Sequence, residues 1–163
     1  MKTTQLFKHC LVVVALLFCG VLSRSSFAQS CNIEVEALTE SGNGIVEIPG
    51  PDGANAFALS TTVGAGGCTG TLSASAMGPE ANLGLTITLC QTNQNAQCIG
   101  PDSSSLPVSF GQGAQPTFSV FVQASETIPQ PSTVCVNITL VNIPNNLEGI
   151  SIRHLICLPI ETV

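Results

Sequence analysis

Cys90 and Cys98 bracket the run "QTNQNAQ", in which every residue is polar or small. Closely spaced cysteines do three kinds of chemistry: they ligate zinc, they cycle as a redox pair, or they close a loop. Zinc asks for a second close pair or for neighbouring histidines. The other cysteines beyond residue 28 are scattered at 31, 68, 135 and 157, and His154 is the one histidine there. Redox motifs usually hold two residues between the thiols, a shorter spacing than this one. A stapled loop is the remaining reading.

Other side chains invite chemistry and resist it. His154 is a candidate general base, yet its neighbours in the hairpin register derived below are apolar and no serine or carboxylate is fixed beside it, so it reads as a packed structural histidine. "SSS", Ser103–Ser105, lacks the glycine frame of a nucleophile elbow and reads as a loop. Asp52, Glu80 and Asp102 are candidate calcium ligands, but calcium takes six to eight oxygens and no DxDxD-like cluster appears. They read as solvated turn acids. Asn137-Ile138-Thr139 matches a glycosylation sequon and reads as a chance match.

The compartment follows from the first residues. Lys2 and Lys8 precede the apolar run "CLVVVALLFCGVL", too short for a comfortable membrane span, and "SFA" ends it with small residues. Residues 1–28 read as a secretory signal peptide cut after Ala28, leaving one domain over 29–163. A lipoprotein anchor at Cys19 is disfavoured by the bulky Phe18 before it. Beyond residue 28, Arg153 is the sole Lys or Arg against ten Asp and Glu, so the net charge there is one minus ten, or −9. That balance excludes nucleic acid and anionic membrane surfaces as partners.

Six cysteines in an exported chain predict three disulfides. The elements that must position them are strands. Val, Ile, Thr, Leu and Ser dominate, no stretch carries the three-four spacing of an amphipathic helix, and Gly, Pro and Asn punctuate short alternating runs. Strands are expected near 32–38, 44–49, 56–63, 68–76, 83–90, 106–110, 117–124, 133–143 and 150–160. An Asn-Gly turn in "GNG", 42–44, is expected between the first two strands. "GPD" at 50–52 and again at 100–102 offers Pro for a type I turn.

The last two strands test themselves. With Cys135 opposite Cys157, Val136, Ile138 and Leu140 face Ile156, His154 and Ile152, while Asn137, Thr139 and Val141 face Leu155, Arg153 and Ser151. One face is apolar and the other mostly polar, as a half-buried hairpin requires. Cys90 pairs with Cys98 across the polar tip, and Cys31 with Cys68 by elimination. Loop-closure entropy gives roughly 2.5 kcal/mol for the short loop and about 3.5 kcal/mol for the hairpin. Such bridges offset a core with no Trp or Tyr and, beyond the leader, four Phe: 57, 110, 118 and 121.

"TLCQTNQNAQCIGP", followed by "QPTFSVFVQASETIPQPSTVCVNITL", resembles a repeated Ig-like β-sandwich module of exported bacterial proteins. There a strand ends in a Cys-Gln-Thr-Asn turn closed by a second Cys, and a "PTFSVFV"-like strand and an "IP" linker follow. The resemblance covers about residues 85–140. This chain departs from it with Cys135, where an aromatic is usual, and with its Cys157 ending. The resemblance implies a structural or adhesive role at the cell exterior and brings no catalytic residues.

The expectation is an all-β, disulfide-stapled, Ig-like antiparallel β-sandwich without a cofactor. It is expected to be secreted, on the cell surface or in the periplasm, as a non-enzymatic structural or binding domain. A calcium-dependent or carbohydrate-binding module is the alternative, and a small secreted hydrolase using His154 the second. A protein or cell-surface partner is expected to be neutral, cationic or bound through backbone at a strand edge, with 133–143 and 150–160 the candidate edges.

Overall fold

The computed structural model describes residues 31–163 except 65, 67, 79–82 and 143–149; at 141, 142 and 150–152 it describes the backbone alone. The signal peptide expected over 1–28 and Glu80 therefore lie outside the described residues. Among the described residues nine strands follow in chain order: β1 (Ile33–Thr39), β2 (Val46–Ile48), β3 (Ala54–Val63), β4 (Cys68–Met77), β5 (Leu85–Thr92), β6 (Ser105–Phe110), β7 (Thr117–Ala124), β8 (Ser132–Asn142) and β9 (Ile150–Thr162). They form a four-stranded sheet, β1-β3-β7-β5, and a five-stranded sheet, β2-β9-β8-β4-β6.

Alternation along the strands builds the interior. In β7, Phe118, Val120 and Val122 are buried while Phe121 and Gln123 are exposed; in β3, Phe57, Leu59, Thr61 and Val63 point in and Ala58, Ser60 and Thr62 point out. The five-stranded sheet answers with Leu72, Val108, Phe110, Val134, Val136, Ile138, Leu140 and Ile160, all buried in the same cluster. Phe110 and Phe118 meet across the two sheets.

The three bridges are Cys31–Cys68, Cys90–Cys98 and Cys135–Cys157. The last joins directly opposed residues of β8 and β9, and the register around it places Ile138 opposite His154 and Thr139 opposite Arg153. Cys31–Cys68 ties the chain just before β1 in one sheet to the first residue of β4 in the other. Three disulfides suit an oxidising compartment.

Three expectations are corrected. First, the sheets are not wholly antiparallel, because β2 pairs parallel with β9, Val46 opposite Ile160. Second, the Asn-Gly turn does not make a hairpin of β1 and β2. Gly42 and Gly44 take positive φ (68° and 79°), Gly42 N donates to Thr39 O at 3.0 Å, and the chain leaves for the other sheet while β1 pairs with β3. Local turn chemistry fixes a reversal, and the apolar side chains of Val46 and Ile48 then choose the sheet by burial. Third, 133–143 is not an edge, since β8 is bonded to β4 on one side and β9 on the other. The first "GPD" turns as expected, with Gly53 N donating to Gly50 O at 3.3 Å, whereas Gly100–Asp102 lies in a segment returning along β5.

Candidate binding surface

The stapled loop is built by its own side chains. Asn93 Oδ1 accepts from the N–H groups of Asn95 (2.9 Å) and Gln97 (3.1 Å), and Asn93 N donates to Gln97 O at 2.9 Å. This Asx cage holds the reversal, within which Ala96 takes a left-handed φ of 59°. The chain then runs back beside β5. Ile99 N donates to Gln91 O at 2.9 Å, and Leu89 and Ser103 exchange both backbone bonds at 2.8 and 3.0 Å. Cys90 is buried and Cys98 exposed, so the bridge fastens this returning segment along an edge of the four-stranded sheet. Thr92 Oγ1 and Thr117 Oγ1, 2.6 Å apart, join β5 to β7 at the same end.

The returning segment walls one side of a trough on the outward face of that sheet. Its floor is Phe121, 38% exposed, paired with Thr88 on β5 and Ala56 on β3. A cavity of about 430 Å³ is lined by Phe121, Thr86, Thr88, Gln123, Ala56 and Asp102. A second, of about 340 Å³, continues from Phe121 and Asp102 to Cys98, Gly100 and Pro101. Alanines 54, 56 and 58 keep the β3 side low. The surface offers one aromatic ring ringed by hydroxyl, amide and carboxylate groups. Another recess of about 500 Å³ lies between the loop tip, at Asn93, Gln94 and Ala96, and Pro116–Ser119.

The sequence left Phe121 unmarked as a site residue. The signal was present: in "TFSVFVQA" Phe118, Val120 and Val122 share one face, which puts Phe121 on the other.

The remaining candidates do not converge. His154 is half-buried on the inner face of β9, in line with Ile156 and Leu158. Ser103 is engaged with Leu89 beside β5, and its Oγ accepts from Ser105 N at 3.3 Å. β5 packs on β4 and β6, at the far side of the five-stranded sheet from β9. Asp102 lies in the trough wall and Asp52 in the turn before β3. Among the described residues no group of three or more His, Cys, Asp or Glu comes together as a metal site. Asn137 sits half-buried on β8, its Oδ1 accepting from Thr139 Oγ1 at 3.5 Å.

No protein-family profile matches the chain, and no curated protein matches it. Solved structures do. AvmM, which catalyses macrocyclisation in alchivemycin A biosynthesis, aligns with 80% of this chain and 89% of its own at 9% identity and a TM-score of 0.49. A family 123 glycoside hydrolase from Clostridium perfringens, which hydrolyses glycolipid glycans, aligns with 81% of this chain at 11% identity and a TM-score of 0.45, and there the match spans 28% of the hydrolase. At this distance neither similarity bears on what this chain does.

Proposed function

We propose that the protein is an exported, non-enzymatic β-sandwich of Ig-like type that acts as a structural or binding domain at the cell surface or in the medium. The observation that carries this reading is the trough: a disulfide is spent on fixing a loop with no core of its own, and the loop walls an outward-facing aromatic platform. Binding sites favour side chains presented on loops and strands held rigid by a scaffold. The leader sequence and the three bridges support export, and the run from Leu85 to Leu140 supports the Ig-like assignment.

The same trough favours one alternative over the others. Phe121 between Thr86, Thr88, Gln123 and Asp102 suits a neutral, hydroxyl-rich ligand, which stacks an apolar ring face on the aromatic and satisfies its hydroxyls at the rim. No Lys or Arg stands in the trough to draw an anion.

The test is titration of the oxidised protein with neutral oligosaccharides and surface polymers, beside a turnover screen on ester, peptide and glycoside substrates. Saturable binding that Phe121→Ala abolishes, with folding intact, is the expected result. Turnover that disappears in His154→Ala, with the fold retained, overturns the proposal in favour of a hydrolase.

A further inference from the structure

β9 is far longer than the strand that covers its outer side. Among the described residues, β2 pairs with it only at Ile160–Thr162, which leaves Ile150–Pro159 as open edge. The bonds at its end show which groups face outward. Val163 N donates to Ile48 O at 3.0 Å, and Val163 O accepts from Gly50 N at 3.1 Å. By strand alternation the odd-numbered residues of β9 turn their N–H and C=O toward that same side. The bridge agrees: Cys135 and Cys157 are 4.1 Å apart at Cα, the spacing of an antiparallel pair that exchanges no backbone bonds. The outward donors are thus Ser151, Arg153, Leu155 and Cys157. Pro159, the last outward residue before β2 takes over, has no N–H to offer.

This edge also differs electrostatically from the rest of the molecule. Ile150–Ile160 contains no acid, and it holds Arg153 and His154, the sole basic side chains beyond residue 28. Of the other edges, β1 carries Glu34 and Glu36, and β6 is six residues long and interrupted by Pro107. With a net charge of −9 beyond residue 28, β9 is a long edge along which two copies approach with little repulsion. Leu155 stands in the middle of it, 61% exposed.

We propose that a second copy of this chain is the partner of β9, paired antiparallel about a two-fold axis at Leu155. In that register Leu155 bonds Leu155 of the other copy and Arg153 bonds Cys157, and the ladder stops short of Pro159, because Val46 of β2 already stands opposite Ile160. The outward donors of Arg153, Leu155 and Cys157 all find acceptors, and the missing N–H of Pro159 falls just beyond the end of the ladder, where β2 begins. The two leucines sit side by side on the outer face, and the two five-stranded sheets become one. Such an interface is isologous and closed, so it makes a dimer rather than a filament. It lies on the opposite sheet from the Phe121 trough, and stands or falls apart from that reading.

The experiment is sedimentation equilibrium of the oxidised protein from micromolar to millimolar concentration. A reversible dimer is expected, holding or tightening as salt screens the like-charged copies. Leu155→Pro removes the central outward N–H without touching a β8 bond, and Leu155→Lys sets two ammonium groups side by side. Each weakens the dimer at least tenfold while the circular dichroism spectrum and all three bridges are retained; if the proline variant misfolds, the lysine variant decides, because its side chain is exposed. Phe121→Ala leaves the dimer unchanged. A monomer throughout, a dimer indifferent to Leu155→Lys, a dimer lost in Phe121→Ala, or one that dissociates tenfold or more as salt rises overturns the proposal.

Discussion

Phe110 and Phe118 stack edge to face across the gap between the two sheets, ring centroids 6.2 Å apart and planes at 70°. β6 and β7, which carry them, belong to different sheets, so the pair is a contact that sheet-to-sheet packing alone creates. With so few aromatics in the core, its loss is felt. Phe118→Ala is expected to cost about 3–5 kcal/mol. A double-mutant cycle with Phe110→Leu and Phe118→Leu is expected to show roughly 0.5–1.5 kcal/mol of coupling. Urea unfolding of the oxidised protein measures both, and coupling near zero means the rings merely fill space.

The bridges should rank by the loops they close. Sequence separations of 37, 22 and 8 give loop-entropy contributions of about 4, 3.5 and 2.5 kcal/mol. Paired Cys→Ala replacements are therefore expected to destabilise in the order Cys31–Cys68, Cys135–Cys157, Cys90–Cys98. Non-reducing peptide mapping should first show no free thiol and these three links. Proteases other than trypsin are required, since Arg153 is the single tryptic site beyond residue 28.

Gly70 lies within β4, between β6 and β8. A Cβ there would run into the Thr139 carbonyl oxygen and come within 2.8 Å of Leu140 Cα. Both obstacles are backbone of β8 and cannot swing aside. Gly70→Ala is expected to destabilise by about 1–3 kcal/mol, the usual cost of overpacking, although alanine suits a strand no worse than glycine. A neutral or stabilising result in thermal unfolding would show that β4 and β8 can separate locally.

Thr162 tests the opposite sign. Its Oγ1 is buried and has no hydrogen-bond partner among the described residues. Removing an unsatisfied hydroxyl while keeping the shape relieves a desolvation penalty. Thr162→Val is expected to leave stability unchanged or raise it by up to about 1 kcal/mol. A loss of more than that amount on urea unfolding would reveal a partner for the hydroxyl.

The β8–β9 register was legible in the sequence because two cysteines and a strict apolar alternation constrained the same pairing. The polar run 91–97 was legible as a stapled loop for a similar reason, since nothing in it could be buried. The strand partners were not legible where only local chemistry spoke. "GNG" announces a reversal, yet the three residues Val46–Ile48 are too few to show which sheet will bury them. The central place of β8 depends on β4, whose paired residues lie between 56 (Met77–Thr133) and 72 (Thr69–Val141) positions away along the chain, and no pattern within either strand encodes that pairing. The trough fell between these cases. Phe121 could be put on an outer face from its own strand, but the wall beside it exists only because Cys98 returns along β5.

The positions of the bridges determine how the described strands would carry a pull applied at Cys31 and Val163. A force applied between Cys31 and Val163 enters at once through the Cys31–Cys68 link, so β1, β2 and β3 hang slack from the loaded path. At the other end it can strip only the residues after Cys157 before it crosses to Cys135, which excuses the whole of the β8–β9 turn. Within the loaded span, Cys90–Cys98 takes residues 91–97 out of line as well. The tether that can pay out is therefore short: β4 through β7, the approach to β8, and the last few residues of β9. Covalent shortcuts make the domain a stiff link with little slack, and most of the ladder beside Leu155 lies in the sheltered part.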